Sequence, residues 1–217
     1  MAPTDPRVLA IHKASWDFAE HWQTEDSIRA HARAKASEIG CPAIQPGAGS
    51  ALRTLAAAVK AHNVVEIGTG AGVSALWLLD GMNPDGVLTS IDIEAEHQLI
   101  AKEALNQSGI SPNRVRLING RVDEVLDRLT EGAYDLIFIS SRPTDLEGHI
   151  SAAVKLLRKG GLLVIDNALW NDKLADPAQR DTDTVAIRSA VEHFVDNDSF
   201  ISSLLPVGNG LLISVKR

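Results

Sequence analysis

The chain has 217 residues, 45% of them apolar and 23% charged, which suits one soluble domain built on a single core. A formal net charge of -7, with no run of Lys and Arg, argues against a nucleic-acid surface. No stretch approaches the ~18 consecutive apolar residues of a membrane span, Met1 to Asp17 lacks the basic-then-apolar order of a secretory leader, and the lone Cys41 leaves no internal disulfide, so the expected compartment is the cytoplasm.

The first forty residues read as helices. Val8, Leu9, Ile11, Trp16, Phe18 and Trp22 supply the apolar positions, and Asp26 and Ser27 are N-caps for a second helix running toward Ile39. Trp16, His21 and Trp22 are expected to pack in the core, with an acceptor pocket or a subunit contact as the other uses. Gly40, Pro42, Pro46 and Gly47 read as a loop. The whole chain, 1–217, is expected to be one domain, with a helical cap over 1–48 and a core over 49–217.

The pattern then changes to alternating helices and strands. Leu52, Leu55, Ala56 and Val59 follow helical spacing, short runs at Val64–Ile67, Val87–Ile91 and Val115–Ile118 read as strands, and the continuous apolar runs Leu136–Ile139 and Leu162–Ile165 read as strands covered on both faces. Between them lie the stripe Val122, Val125, Leu126, Leu129 and a helix through Val154, Leu156 and Leu157 that Gly160-Gly161 are expected to stop. Alternation of this kind implies βαβ units and a parallel sheet. Phe200–Leu205 and Leu211–Val215 flank Pro206-Val207-Gly208-Asn209-Gly210, which predicts a closing antiparallel hairpin.

Glu66-Ile67-Gly68-Thr69-Gly70-Ala71-Gly72-Val73-Ser74 follows the first of these strands and opens a helix. Glycines there allow a sharp turn and close approach of a ligand, and the helix N-terminus favours an anionic group. The glycines run G-x-G-x-G, with Val73 where the nicotinamide fingerprint wants Gly or Ala. Glu66 would meet a positively charged amine well and a pyrophosphate badly. Asp92 ends the second strand, 24 positions after Gly68, where a carboxylate accepts ribose hydroxyls. These features point to S-adenosylmethionine, whose carboxylate would sit on the helix N-terminus. Asn119-Gly120-Arg121-Val122-Asp123 is placed to border the adenine, with Val122 on the ring and Asp123 near its amino group. An ordinary helix start capped by Asp123 is the other reading of that stretch.

VVEIGTGAGVSALWLL, GVLTSIDIEAEH, YDLIFIS, LLRKGGLLVIDNALW and LPVGNGLLISVKR together resemble the cation-dependent O-methyltransferases, the group of the catechol and caffeoyl-CoA enzymes, in its bacterial branch. The resemblance runs from about Ser37 to Arg217. It implies a Rossmann-like class I methyltransferase: a seven-stranded, mostly parallel sheet with a C-terminal antiparallel hairpin and helices on both faces. It further implies cofactor contacts at Ile44, Glu66, Gly68, Thr69, Gly70, Gly72, Ser74, Asp92, Val122, Asp123 and Ser140. Trp170 falls beside the acceptor pocket. The acceptor is expected to be a small hydroxylated, aromatic molecule, and the assembly a homodimer held through the N-terminal helices.

The same family ligates a divalent cation such as Mg2+ through two Asp and one Asn, which lowers the acceptor's pKa and aligns its oxygen. Asp166 and Asn167 match two of those positions. The family's Asp-Ala-Asp-Lys after the fourth strand is here Ser140-Ser141-Arg142-Pro143, so the third ligand position is Ser140 and the assisting Lys is Pro143. Asp145 could reach in only if its loop shifted. Asp166-Asn167 also read as a polar turn that caps the next segment. Without the Lys, Asp166 and His149 are the candidate bases, although a lone helical His is ordinarily solvated, and Arg142 could meet an anionic acceptor. The alternative to an enzyme is a binding or regulatory protein that keeps the cofactor cleft without catalysis. A nicotinamide-dependent oxidoreductase is a third reading, opposed by the loop spacing, Glu66 and the hairpin.

Overall fold

A computed structural model describes residues 6–217, with side chains from Lys13 onward, so the side chains of Val8, Leu9 and Ile11 lie outside the described residues. Helices α1 (Pro6–Glu20), α2 (Ser27–Glu38) and α3 (Pro46–Ala58) come first. Asp26 caps α2 through the backbone N–H groups of Ile28 and Arg29, both at 2.9 Å. Ser27 is the first helical residue instead of a cap. Pro46 and Gly47 open α3 and do not form a loop, because a proline at the first helical position loses an N–H that has no intrahelical partner anyway. The expected boundary between 48 and 49 therefore falls inside a helix.

The alternation that follows is β1 (Asn63–Ile67), α4 (Val73–Gly81), β2 (Val87–Asp92), α5 (Ala95–Gln107), β3 (Val115–Asn119), α6 (Val122–Leu126), β4 (Tyr134–Ile139), α7 (Leu146–Leu156), β5 (Leu157–Ile165), α8 (Thr182–Glu192), β6 (Phe200–Leu205) and β7 (Leu211–Lys216). The seven strands form one sheet in the order β3-β2-β1-β4-β5-β7-β6. The first five are parallel, and β7 runs antiparallel to both β5 and β6. This is the seven-stranded, mostly parallel sheet with a closing antiparallel hairpin that the sequence resemblance implies.

Side chains alternate across the sheet with the strand period of two. Val64, Leu88, Leu136 and Phe138 face one apolar cluster, with Leu52 of α3 and Trp77 of α4. Val65, Ile67, Ile91, Ile137, Ile139 and Leu163 face the other, with Ile150 of α7 and Ile187 of α8. The Arg29 guanidinium lies 4.2 Å from the Trp77 ring centre, a cation–π contact that ties α2 to α4. Trp77 also fills the space above Gly49, where a Cβ would come within 2.4 Å of its indole nitrogen.

Three expectations are corrected here. Gly160-Gly161 do not stop a helix: α7 ends at Leu156, and the glycines lie inside β5 where its register with β4 shifts between Tyr134 and Leu136. The stripe Val122–Leu129 yields only a short helix ending at Leu126. Trp16 and Trp22 are exposed, not core, and Trp22 is 72% exposed and stacks at 5.6 Å on the equally accessible Phe18.

Glu66 is the costly residue of the sheet. It is completely buried at the end of β1, where it accepts the Ser90 hydroxyl at 2.5 Å, and Ser90 is in turn 2.6 Å from the Thr69 hydroxyl. One carboxylate oxygen, Oε1, has no partner. Burial outweighs the pull of the Ser74 and Ser90 hydroxyls beside it and pushes the Glu66 carboxyl up from 4.5 to about 7. The folded chain therefore holds this proton more tightly than the unfolded chain, so stability falls as pH rises from about 4.5 to about 7 and stays lowered above that. The loss is on the order of 3 kcal/mol. Glu66→Gln should remove this part of the slope, leaving the variant more stable than the parent at pH 8 and little changed at pH 4.5; urea unfolding at the two pH values checks it.

Candidate active site

The carboxyl ends of the strands surround a cleft of about 770 Å³, at the point where the strand order reverses between β1 and β4. That volume suits a cofactor together with a small acceptor. Gly68, Gly70, Asp92, Val122, Asp123, Ser140, Arg142, His149, Asn167 and Trp170 line it, so ten residues singled out in the sequence are brought together. Ile44, Glu66, Thr69, Gly72, Ser74 and Asp166 do not line it. Ile44 packs in the apolar cluster, while Cys41 and Pro42, a few residues earlier, form the wall. Thr69 and Ser74 are buried behind the loop, bracing it through Ser90 and Glu66.

The loop's shape follows from its glycines. Gly68 has φ +95°, and a Cβ there would lie 2.1 Å from the Ser140 carbonyl oxygen. Gly72 has φ +84°, with Ala101 of α5 only 3.0 Å from where its Cβ would be. Gly72 is the N-cap of α4 and offers no side chain, so the first N–H groups of that helix are left for an anionic ligand.

Asp92 pins the loop and also lines the cleft. Its Oδ2 accepts the Gly70 N–H at 2.8 Å and its Oδ1 accepts the Glu94 N–H at 2.9 Å, with His97 Nδ1 3.6 Å from Oδ2. Each oxygen keeps a lone pair for a ribose hydroxyl. Cys41 and His97, with Sγ and Nδ1 3.8 Å apart, add to the wall beside Asp92. Sequence reasoning passed over both, although His97 lies in the first turn of the helix that follows Asp92.

The cleft's charge is distinctive. Asp92, Glu94, Asp123 and Asp145 face it, against Arg121 and Arg142. Arg142 is paired with Asp145 through Nε at 2.9 Å and Arg121 with Asp123 at 3.3 Å, so the surplus is negative. Such a surface attracts a sulfonium and repels a pyrophosphate.

His149 is buried, not solvated, because α7 turns it into the cleft wall. Burial lowers its pKa against the pull of Asp145 and Asp123, so it is neutral near pH 7. Its Nδ1 is buried without a partner, which favours a bare lone pair there over an unpaired N–H. Nε2 then carries the proton and faces Asp123 Oδ1 at 4.0 Å. At 4.0 Å that is beyond hydrogen-bond range.

The acceptor end is built by the ends of β4 and β5. Ile139 pairs with Ile165, so Ser140 and Asp166 come next on adjacent strands, and the Asp166 N–H donates to the Ile139 carbonyl at 2.9 Å. Asp166 is 8% exposed, and burial, aided by the charge of Glu20, pushes it up from 3.8 to about 6 despite the Asn167 backbone N–H. Asn167 Nδ2 donates to Asp166 Oδ2 at 3.3 Å. The hairpin turn clasps the following segment: Ala168 donates to Gly210 O at 3.0 Å and Leu169 to Asn209 O at 2.9 Å.

Known proteins are similar to this chain in sequence and in fold. A family model described as O-methyltransferase matches residues 19–217. A Mycolicibacterium vanbaalenii protein that carries the name O-methyltransferase is 46% identical over 213 residues, covering 98% of this chain and 94% of its own. Among solved structures, a Corynebacterium glutamicum protein is 35% identical with a TM-score of 0.85, covering 95% of this chain and 97% of its own. The O-methyltransferase TomG of Streptomyces achromogenes, involved in tomaymycin synthesis and solved in complex with SAM, is 25% identical with a TM-score of 0.82, covering 94% of this chain and 97% of its own. With residues 19–217 matched by the family model and 98% of its length covered by a relative 46% identical to it, the chain belongs to the O-methyltransferase family.

Proposed function

We propose that the chain is an S-adenosylmethionine-dependent O-methyltransferase that acts on a hydroxyl of a small, aromatic acceptor. The observation that carries this reading is the negatively charged cleft with the glycine loop at Gly68 and Gly70, which leads into the uncapped N-terminus of α4, and Asp92 along its wall. The bound cofactor would supply an electrophilic methyl group. The first N–H groups of α4 hold its carboxylate, Asp92 takes the ribose hydroxyls, and Val122 with Asp123 borders the adenine. Trp170 and Pro143 give the acceptor an apolar wall that excludes water.

Asp166 is the base in this reading. It follows β5 beside Ser140, with its backbone N–H on the Ile139 carbonyl. Asp166 does not itself line the cleft but adjoins Asn167, which does, and it keeps 8% exposure; in this reading it accepts the acceptor's hydroxyl proton as the oxygen gains the methyl group. The exposed Phe18 and Trp22 support a homodimer that covers them. The single Cys41 suits the reducing cytoplasm.

Asp92→Asn should weaken S-adenosylhomocysteine binding by about tenfold or more, because it loses the charge-assisted bonds to ribose and loosens Gly70; calorimetric titration measures it, and unchanged affinity removes Asp92 from the site. Asp166→Asn should lower kcat for methylation of ortho-dihydroxy aromatics by about 100-fold or more while S-adenosylhomocysteine binding stays within about twofold; equal kcat excludes Asp166 as base. Sedimentation should show a dimer that Phe18→Asp with Trp22→Asp converts to a folded monomer, and a monomeric parent chain sinks the dimer.

A further inference from the structure

The residues at 140, 166 and 167 do not fit a divalent cation. Ser140 offers a neutral hydroxyl where a hard cation needs a charged oxygen, and Asp145 is committed to Arg142. Among the described residues no three His, Cys, Asp or Glu side chains come together as a metal site.

The orientation of Asn167 is decided by a backbone group. The Asn171 N–H, which can only donate, reaches the Asn209 side chain at 2.5 Å, so Oδ1 of Asn209 must face it. Asn209 Nδ2 therefore faces Asn167, whose Oδ1 accepts it at 3.0 Å. That leaves the NH2 of Asn167 toward Asp166. Flipping Asn167 would set NH2 against NH2 on one side and oxygen against oxygen on the other. A cation shared by Asp166 and Asn167 needs both to present oxygen, and here Asn167 presents a donor.

The backbone holds the same state. Asn167, Trp170, Asn171 and Asp172 have positive φ between 47° and 63°, which side chains rarely adopt. Asn209 bonds three of the residues in this stretch: the Asn167 side chain and the N–H groups of Leu169 and Asn171.

We propose that the acceptor site of this chain works without a divalent cation, and that Asn209, acting through Asn167, positions Asp166 where the cation would otherwise do so. The proposal rests on the methyltransferase reading for its catalytic meaning, but its cation arm does not need turnover. Asn209 is a positioning residue: it touches neither cofactor nor acceptor in this scheme.

The test is Mn2+ titration of the full chain, followed by electron paramagnetic resonance with S-adenosylhomocysteine present. The parent should show no saturable site up to about 1 mM Mn2+. Ser140→Asp combined with Asn209→Asp restores the missing carboxylate and, by repelling Asn167 Oδ1, turns that oxygen toward Asp166. This double variant should bind one Mn2+ at least about tenfold more tightly than the parent. A stoichiometric parent site abolished by Asp166→Asn would overturn the proposal. So would a double variant that still binds S-adenosylhomocysteine but gains no Mn2+ affinity. For the positioning role, Asn209→Asp alone should lower kcat, with EDTA present, while the cofactor KM stays unchanged; a KM rise with kcat intact would mark Asn209 as merely structural. Failure of the methyltransferase reading would show separately, as no methyl transfer by a parent chain whose Mn2+ titration remains flat.

Discussion

The ends of β1 and β4 approach so closely at Gly68 and Ser140 that no side chain fits between them. A Cβ on Gly68 would stand 2.1 Å from the Ser140 carbonyl oxygen, far inside van der Waals contact. The approach is fixed from both sides, by the Gly68 N–H on Ile91 O at 2.9 Å and the Ser140 N–H on Ile67 O at 2.8 Å. It sets the glycine loop and the Ser140 loop against each other at the switch point, and the cleft is what opens between them. A larger residue at 68 would separate the cofactor loop from the acceptor loop, so methyl donor and acceptor would lose their common origin before any contact residue was touched.

A second constraint joins parts of the chain that lie far apart in sequence. Glu20, the last residue of α1, is buried and accepts the N–H of Gly47 at the start of α3 and the N–H of Gly208 in the hairpin turn. Gly208 precedes Asn209, which sets the side chain of Asn167. The N-terminal helix, the closing hairpin and the acceptor loop are thus one hydrogen-bonded unit, and the charge of Glu20 reaches Asp166. α1 is in this sense part of the active site's support.

The sheet was readable because buried parallel strands read as near-continuous apolar runs, as Leu136–Ile139 and Leu162–Ile165 are and as Val64–Ile67 is apart from Glu66. The hairpin was readable from the turn residues between two such runs. Gly160-Gly161 misled because glycine marks a strand bulge as readily as a helix end, and only the pairing with Tyr134 separates the two. In the site, Gly68, Asp92 and Asn167 were legible because strand ends and loop spacing fix where backbone goes. The fate of Glu66, Ile44 and His149 was not, because a side chain's burial depends on neighbours from other elements. Ser90 and Ser74 close over Glu66, and α7 carries His149 against Asp123. Trp16 and Trp22 look like core by composition alone; nothing in a helical stripe says whether a partner element exists to cover it.

The departure at Ser140 makes electrostatic sense only together with its surroundings. Asp166 is already a buried carboxylate whose proton affinity is raised by burial and by Glu20. An aspartate at 140 would add another negative charge on the neighbouring strand end, and like charges at that range drive one another toward protonation unless a cation lies between them. With Asn167 turned to present its NH2, the site supplies one neutral donor to one carboxylate, a balance that needs no divalent ion. Ser140, Asn167 and Asn209 therefore belong to one electrostatic solution: each is compatible with the other two, and restoring a carboxylate at 140 alone would leave a charge that the rest of the site is not arranged to hold.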